Sequence, residues 1–303
     1  MTTQSITSIT DGQKKQYLRF VEDAAERAFK EMALDKDGIQ KLIENGDKFQ
    51  SRIIEVIREL SVFNQYANEE VRSSYTYSKE YKGPKPIADQ IKAIAKIVDL
   101  DPSQALEFAK NLPALPKGAE GWFAIPSVDA LAKKHFPEVT DPAQKYCCAV
   151  QRVAKIHDLW MLNRERQITP AQLRVHARTT HALDLIAETQ KGDILIVAAQ
   201  LGMRHRGKSV RRVREVFVAN EFGFGSLAVG SIVLTHPERL VRWEELDMDC
   251  SGDEFSPEAD GDFSKSPFFR FYGGKVKFGT AFVGGPLGGF GSVSGFLPAE
   301  ALA

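Results

Sequence analysis

The sequence predicts an α+β protein, with a helical N-terminal half followed by a mixed α/β C-terminal half that contains a glycine-rich β-hairpin region. Three observations support this. Apolar residues recur at helical spacing early in the chain, short continuous apolar runs begin after Gly192, and glycine becomes frequent after residue 273. We therefore expect a helical region over 1–110, a linker and two long helices over 111–190, and an α+β domain over 191–303.

The first helices are predicted from capping residues and apolar spacing. Thr10 and Gln13 form a capping-box pattern. The helix that follows carries an apolar face made of Tyr17, Val21, Ala24, Ala28 and Met32. Further helices are expected at 38–60, 87–98 and 102–112. Prolines and glycines interrupt the helical pattern at 81–86, before the second of these helices, and at 113–121, after the third.

Two dipeptides in the middle of the chain have the form of a helix start. Asp141-Pro142 and Thr169-Pro170 each place a capping side chain before a proline at the first helical position. The sequence therefore predicts two long helices, at about 142–166 and 170–190.

Strand-like runs follow from residue 193 onward. The run "DILIVAA" (193–199) is short, apolar and bounded by glycines, which favours a buried strand. Ser209 is placed to cap a helix through about Asn220, and "SLAVGSIVLTH" (226–236) is interpreted as a second buried strand. The last of these elements is a hairpin that turns at Gly273-Gly274.

Composition sets limits on the class of protein. The 303 residues are 43% apolar, enough for one large or two ordinary domains, and 40 acidic residues balance 40 basic ones. Three cysteines make neither a disulfide framework nor a Cys-x-x-Cys pair, which suits a reducing compartment. There is no signal-peptide pattern and no apolar run near the ~18 residues of a membrane span. We expect a soluble, cytoplasmic protein.

The stretch "GMRHRGKS" (202–209) matches the letter pattern of a nucleotide-binding P-loop, in the expected place between a strand and a helix. Bulky Arg204, His205 and Arg206 fit poorly in a loop that must close around phosphate. The next apolar run ends in Thr235-His236, where an acid should hold magnesium. A chance match is therefore favoured over a divergent P-loop.

The same stretch predicts a surface for phosphate groups. Six cationic residues fall within 204–214 with no acid among them, at the start of a helix. The residues expected to bind phosphate are Arg204, Arg206, Lys208, Ser209, Arg211 and Arg212. The partner would be nucleic acid or another phosphate-bearing ligand. The structural alternative is that these cations pair with the acidic segment 247–262.

The acidic segment resembles a calcium loop in spacing. Asp247, Asp249, Ser251 and Glu258 stand at EF-hand loop positions 1, 3, 5 and 12. The apolar anchor and the exit helix of an EF-hand are missing, so a solvated acidic loop is favoured over an irregular Ca²⁺ or Mg²⁺ site. Among the histidines, His236 is the best placed for a site.

Several segments carry a resemblance, above all "RHRGKSVRRVREVFVANEFG", "DCSGDEFSPEADGDF" and "GSVSGFLP". With "EGWFAIPS" and "LTHPERL", they resemble a family of uncharacterised bacterial proteins of about this length, over most of the C-terminal two thirds. The resemblance implies a bacterial, soluble protein and brings no activity, ligand or site residues with it.

Three functions remain open on the sequence. The leading hypothesis is a module that binds phosphate or nucleic acid through the basic loop 202–214. The second is a metal- or nucleotide-dependent hydrolase, built on a divergent P-loop at 202–209 or on the acidic segment 247–262 with His236. The third is a structural or protein-interaction protein. The sequence does not identify a cofactor.

Overall fold

The computed structural model describes residues 11–46, 48–50, 52–53, 65–157 and 168–298. The chain divides into two compact units, residues 1–63 and 64–303. Within the described residues, no helix has both the length and the apolar character needed to cross a membrane.

The first unit contains helix α1 (Asp11–Met32) and helix α2 (Lys36–Glu44). Asp35 caps α2 by accepting a hydrogen bond from the Gly38 backbone N–H at 2.8 Å, which satisfies one of the amides that a helix start leaves unpaired. Helix α1 confirms the first predicted helix, and α2 confirms the beginning of the second. The predicted Thr10 cap and residues 54–60 lie outside the described residues.

The second unit begins with an extended segment, residues 65–86, which contains no helix. Helix α3 (Ile87–Val98), helix α4 (Ser103–Phe108) and a 3₁₀ turn at 109–111 follow, so both short helices are confirmed. The prediction of a helical N-terminal half is not confirmed, because residues 69–71 pair with the backbone of residues 207–209 instead.

The second unit holds two sheets, and the protein is an α+β protein. The first sheet is antiparallel and has the strand order β1-β3-β10-β4. The strands are β1 (Gly121–Pro126), β3 (Ile194–Gln200), β4 (Glu221–Gly223) and β10 (Ser294–Phe296). All seven residues of β3 are buried, which confirms the predicted buried strand.

The second sheet has the strand order β2-β6-β7-β5-β9, and β8 pairs with β7. Its strands are β2 (Leu173–Val175), β5 (Asp247–Asp249), β6 (Asp253–Phe255), β7 (Lys265–Tyr272), β8 (Lys275–Phe282) and β9 (Phe290–Ser292). Strands β5 and β9 are parallel, and the other pairs are antiparallel. The predicted hairpin is confirmed, with positive φ at Gly273 and Gly274.

Between these strands, the described residues of the second unit form five α-helices: α5 (Val128–His135), α6 (Pro142–Ile156), α7 (Ala177–Gln190), α8 (Val210–Val216) and α9 (Ser226–Thr235). Asp141 and Ser209 cap α6 and α8 as predicted. Residues 158–166, the predicted end of α6, are outside the described residues. The prediction of a helix from 170 is wrong, because residues 173–175 pair with β6 and the helix starts at 177. Helix α8 ends at 216, short of Asn220.

The interpretation of 226–236 as a buried strand is wrong. Residues 226–235 form α9, and nine of its ten residues are buried. A helix that is buried on all sides has no polar stripe, so its sequence is continuously apolar like that of a buried strand. Helix α9 packs against α6 and β1, at the centre of the second unit.

Candidate functional site

Seven of the eight backbone amides of the loop 202–209 donate hydrogen bonds to other groups of the protein. The Gly202 N–H donates to the side chain of Gln200 at 2.8 Å. The Gly207 N–H donates to a carbonyl of β9 at 2.9 Å, and the Ser209 N–H donates to the carbonyl of Glu69 at 3.1 Å. A P-loop uses such amides to hold phosphate oxygens. The loop therefore lies between a strand and a helix, as predicted, without the free amides of a P-loop.

Two acids from the extended segment neutralise much of the basic loop. Glu69 accepts hydrogen bonds from Arg211 Nε at 2.9 Å and from the Ser209 hydroxyl at 2.6 Å. Glu70 lies 3.0 Å from Lys208 Nζ and 2.7 Å from Arg212 Nε. The hydrogen bond from Arg211 lowers the pKa of Glu69, and the one from Arg212 lowers the pKa of Glu70. Four of the six predicted phosphate-binding residues thus contact an acid of the segment 65–86: Lys208, Ser209, Arg211 and Arg212. None of the hypotheses drawn from the sequence included that segment.

Arg204 belongs to a second, buried polar cluster. Its Nε lies 3.3 Å from Oε1 of Glu221, which also contacts His205 Nε2 at 2.7 Å and accepts the Ser294 hydroxyl at 2.6 Å. Burial raises the pKa of Glu221, but the hydrogen bonds from His205 and Ser294 and the charge of Arg204 outweigh it, so the pKa is lowered overall. This cluster joins the loop to the first sheet through β4 and β10.

The proposed pairing between the basic loop and the acidic segment is limited to Arg214. Its Nη1 lies 3.5 Å from Glu254, and its guanidinium donates to two backbone carbonyls of the segment at 2.9 and 2.7 Å. Arg206 donates to the carbonyl of Tyr75 at 2.9 Å. In the described part of the chain, Arg206 has no carboxylate contact.

The acidic segment is not a solvated loop throughout. Asp247 and Asp249 lie in β5 and are buried, and burial raises their pKa values to about 7 and about 8. Ser251 donates its hydroxyl to the carbonyl of Val293 at 3.0 Å, and Glu258 is exposed. Among the described residues, no group of three or more His, Cys, Asp or Glu side chains is placed to hold a metal. The set predicted from the calcium-loop spacing is therefore not assembled.

His236 is held inside the fold at the end of α9, rather than at the end of a strand. Its Nε2 accepts the Lys85 backbone N–H at 3.0 Å, and its Nδ1 lies 2.9 Å from the Thr235 hydroxyl. Burial lowers its pKa, which favours the neutral ring. Both ring nitrogens make hydrogen-bond contacts inside the fold, so the histidine has a structural role.

A cavity of about 380 Å³ opens where the ends of several elements meet in the second unit. Its wall comes from the end of β1, the starts of α5, α6 and α9, strand β2 and helix α7. The apolar lining residues include Ile125, Leu173, Val175, Leu183, Leu195 and Leu227. These positions are up to about a hundred residues apart in the chain, and no local sequence pattern marks them.

A buried hydrogen-bond network adjoins the wall of this cavity. Tyr146, which lines the cavity, donates its hydroxyl to both carboxylate oxygens of Asp253, at 2.7 and 2.9 Å. The Ser226 backbone N–H and hydroxyl donate to Asp253 Oδ2 at 2.7 and 2.5 Å. Asp253 thus supplies the cap that Gly225, at the start of α9, has no side chain to provide.

Burial dominates the ionisation of this network. It raises the pKa of Asp253 to about 6, against the lowering effect of the hydrogen bonds from Ser226 and Tyr146 and of the charge of Arg214. Burial and the neighbouring Asp253 raise the pKa of Tyr146 well above its usual value, so this hydroxyl stays a hydrogen-bond donor. A titratable acid next to an apolar cavity is a common feature of binding and catalytic sites.

The polar groups at the cavity are few and largely paired. Lys145 Nζ lies 3.0 Å from the exposed carboxylate of Asp129, and Arg174 Nε lies 2.7 Å from Glu254. Asp184 and Thr180 complete the charged and polar lining at the surface. No protein-family model, no curated protein and no solved structure matches the chain.

Proposed function

We propose that the protein binds a small, predominantly apolar molecule in the cavity beside Tyr146. The observation that carries this proposal is the cavity itself. Its volume of about 380 Å³ falls in the range of roughly 300–1,000 Å³ that ligand sites occupy, and most of its lining is aliphatic. Transfer of apolar surface from water into such a cavity is favourable in itself.

The chemistry of the wall defines the class of ligand. Ile125, Leu173 and Leu195 offer only van der Waals contact to the apolar body of a ligand. The ion pair of Lys145 with the exposed carboxylate of Asp129 offers hydrogen bonds to a single polar group, because the Tyr146 hydroxyl is already engaged with Asp253. A surface ion pair of this kind contributes little to stability, so its members are available to a ligand. The ligand class is therefore an apolar molecule with one polar end.

Filling the cavity should abolish binding of an apolar probe. The probe is the dye 1-anilinonaphthalene-8-sulfonate, titrated against the whole protein and followed by its fluorescence. Ala143 lines the cavity on an exposed stretch of α6, so Ala143→Trp places an indole in the space without disturbing the core. We expect the dye to bind the wild type and the A143W variant to bind it at least ten times more weakly.

The matched control is Ala177→Trp, which adds the same side chain at an exposed position of α7 that does not line the cavity. A177W should bind the dye as the wild type does. The proposal fails if the folded wild type binds no dye, or if A143W and A177W bind it equally.

We propose polyanion binding through the basic loop as a second function, on the strength of one observation. Arg206 has no carboxylate contact in the described part of the chain, and Arg204, although paired with Glu221, is partly exposed, so both guanidinium groups can be approached by a phosphate. Glu69 and Glu70 neutralise Lys208, Arg211 and Arg212, and Arg214 pairs with Glu254. Binding would therefore depend on side-chain charge rather than on the loop amides.

Nucleic-acid binding should then be weak and strongly dependent on salt. We expect a DNA duplex of unrelated sequence to bind at low ionic strength, measured by fluorescence anisotropy, and to dissociate as salt rises, because counterion release drives the association. Arg204→Ala with Arg206→Ala should lower the salt slope by about two. Arg19→Ala with Arg27→Ala, exposed in α1, is the control and should leave the slope unchanged. Absence of binding at low salt would end this proposal.

We propose that the protein is cytoplasmic and, from the resemblance of its sequence, that it is bacterial. All three cysteines are free thiols, and Cys147 and Cys250 are buried. Unpaired cysteines suit a reducing compartment.

A further inference from the structure

Two carboxylates and a hydroxyl lie side by side on one face of the second sheet. Asp247 and Asp249 are two residues apart in β5, so their side chains point to the same face. Strand β9 runs parallel to β5 with Ser292 directly opposite Asp249, which places the Ser292 side chain on that face as well. All three residues are buried, and Ser292 is completely so.

Two buried polar atoms at this group, the Ser292 hydroxyl and Arg270 Nε, have no hydrogen-bond partner in the part of the chain that the structure describes. The Ser292 hydroxyl is buried and makes no hydrogen bond. Arg270 Nε lies 3.9 Å from Asp247 Oδ2, which is beyond hydrogen-bond distance, and that nitrogen has no other hydrogen-bond partner. Buried polar groups are normally paired, so an unpaired buried hydroxyl on the same sheet face as two carboxylates requires an explanation.

We propose that Asp247, Asp249 and Ser292 bind a hard divalent cation, Mg²⁺ or Ca²⁺. Both ions prefer oxygen ligands, and Mg²⁺ in particular is commonly held by one or two carboxylates together with water molecules. The two carboxylates supply the compensating charge, and the Ser292 oxygen supplies a neutral ligand that has no other use.

This site differs from the one that the calcium-loop spacing predicts. Ser251 uses its hydroxyl on the carbonyl of Val293, and Glu258 is exposed beyond the end of β6, so neither joins the group. The third ligand comes from β9 through sheet pairing. The site is also independent of the apolar cavity, since none of its three residues lines that cavity.

Cation binding should stabilise the folded protein. The full chain is treated with EDTA, dialysed, and unfolded thermally with and without millimolar MgCl₂ or CaCl₂. An ion that binds only the folded state, at a hundredfold excess over its Kd, should raise Tm by about 5 to 10 °C. Terbium luminescence provides a second measurement, in which bound Tb³⁺ is displaced by either ion.

Variants assign the ligands. Asp249→Asn should abolish the shift in Tm, and Ser292→Ala should weaken Tb³⁺ binding at least tenfold. Ser251→Ala and Glu258→Gln are matched controls from the same segment and should respond to the ion as the wild type does. If D249N does not fold, the proposal is tested by comparing Tb³⁺ binding of S292A with that of the two control variants. The proposal is overturned if the wild type shows neither a shift nor Tb³⁺ binding, or if S292A binds Tb³⁺ as tightly as the wild type.

Discussion

Single carboxyl groups have very different roles according to what surrounds them. Glu69 and Glu70 lie close to arginine and lysine side chains, and hydrogen bonds lower their pKa values. Asp253 lies among buried groups, and although it accepts hydrogen bonds from Tyr146 and Ser226, burial raises its pKa. The first arrangement favours the charged form of the acid and the second favours the protonated form.

The raised pKa of Asp253 predicts a specific dependence of stability on pH. The folded carboxyl titrates near 6 and the unfolded one near 3.8, so the folded state binds more protons between these values. The free energy of unfolding should therefore fall as pH rises from about 4 to about 6, by about 1–3 kcal/mol. Urea unfolding of the wild type and of Asp253→Asn at a series of pH values measures this difference.

Because other carboxyl groups also titrate in the acidic range, the quantity to follow is the difference in the free energy of unfolding between the wild type and D253N. The stability of the wild type relative to D253N should decline from pH 4 to 6 and stay constant above pH 7. Glu258→Gln removes an exposed carboxyl of the same segment and should follow the wild type throughout. A wild-type advantage that grows with pH would show that the hydrogen bonds outweigh burial.

At the scale of elements, the start of α9 depends on an acid that is distant in sequence. Gly225 stands at the N-cap position with φ of −85°, a conformation open to any residue. A Cβ at this position would lie 2.3 Å from Asp253 Oδ1 and 2.4 Å from Tyr146 Oη. Glycine is required here because the network approaches the backbone closely, and not because of the backbone conformation.

Replacing this glycine should be costly for that reason. Gly225→Ala forces Tyr146 and Asp253 apart and strains the first turn of α9, and we expect a loss of about 2–3 kcal/mol in the free energy of unfolding. Gly285→Ala is the control, since its Cβ would meet nothing closer than the Phe282 carbonyl at 3.6 Å, and it should change stability by less than about 0.5 kcal/mol. Equal losses from both variants, measured by urea unfolding, would refute this account.

Helices α6 and α8 could be predicted because each begins at a capping residue of its own, a signal that is visible in the sequence. Asp141 and Ser209 cap α6 and α8, because a capping hydrogen bond forms within four residues and needs no tertiary partner. Helix α9 carries no such signal, since its cap comes from Asp253 and its burial removes the polar stripe. Strand β2 was missed because pairing with β6, and not local preference, makes those three residues extended.

At the scale of the whole second unit, pairing between distant segments defines the surfaces. The extended segment 65–86 places Glu69 and Glu70 against the basic loop. That contact neutralises a cluster of cations which, in the sequence, has no acid among its members. The adjacent acids of "NEEV" (68–71) are visible in the sequence, but nothing in the sequence places them about 140 residues away.

The sequence by itself determined the α+β class, the buried strand β3, the hairpin at Gly273-Gly274 and the caps of α6 and α8. Each of these follows from interactions between residues close in the chain or from the period of apolar positions. Only the tertiary structure decided the partners of the arginines, the burial of Asp247, Asp249 and Asp253, and the cavity at the ends of β1 and β2. These depend on contacts between segments tens to hundreds of residues apart, and the charge of a side chain does not specify which opposite charge it meets.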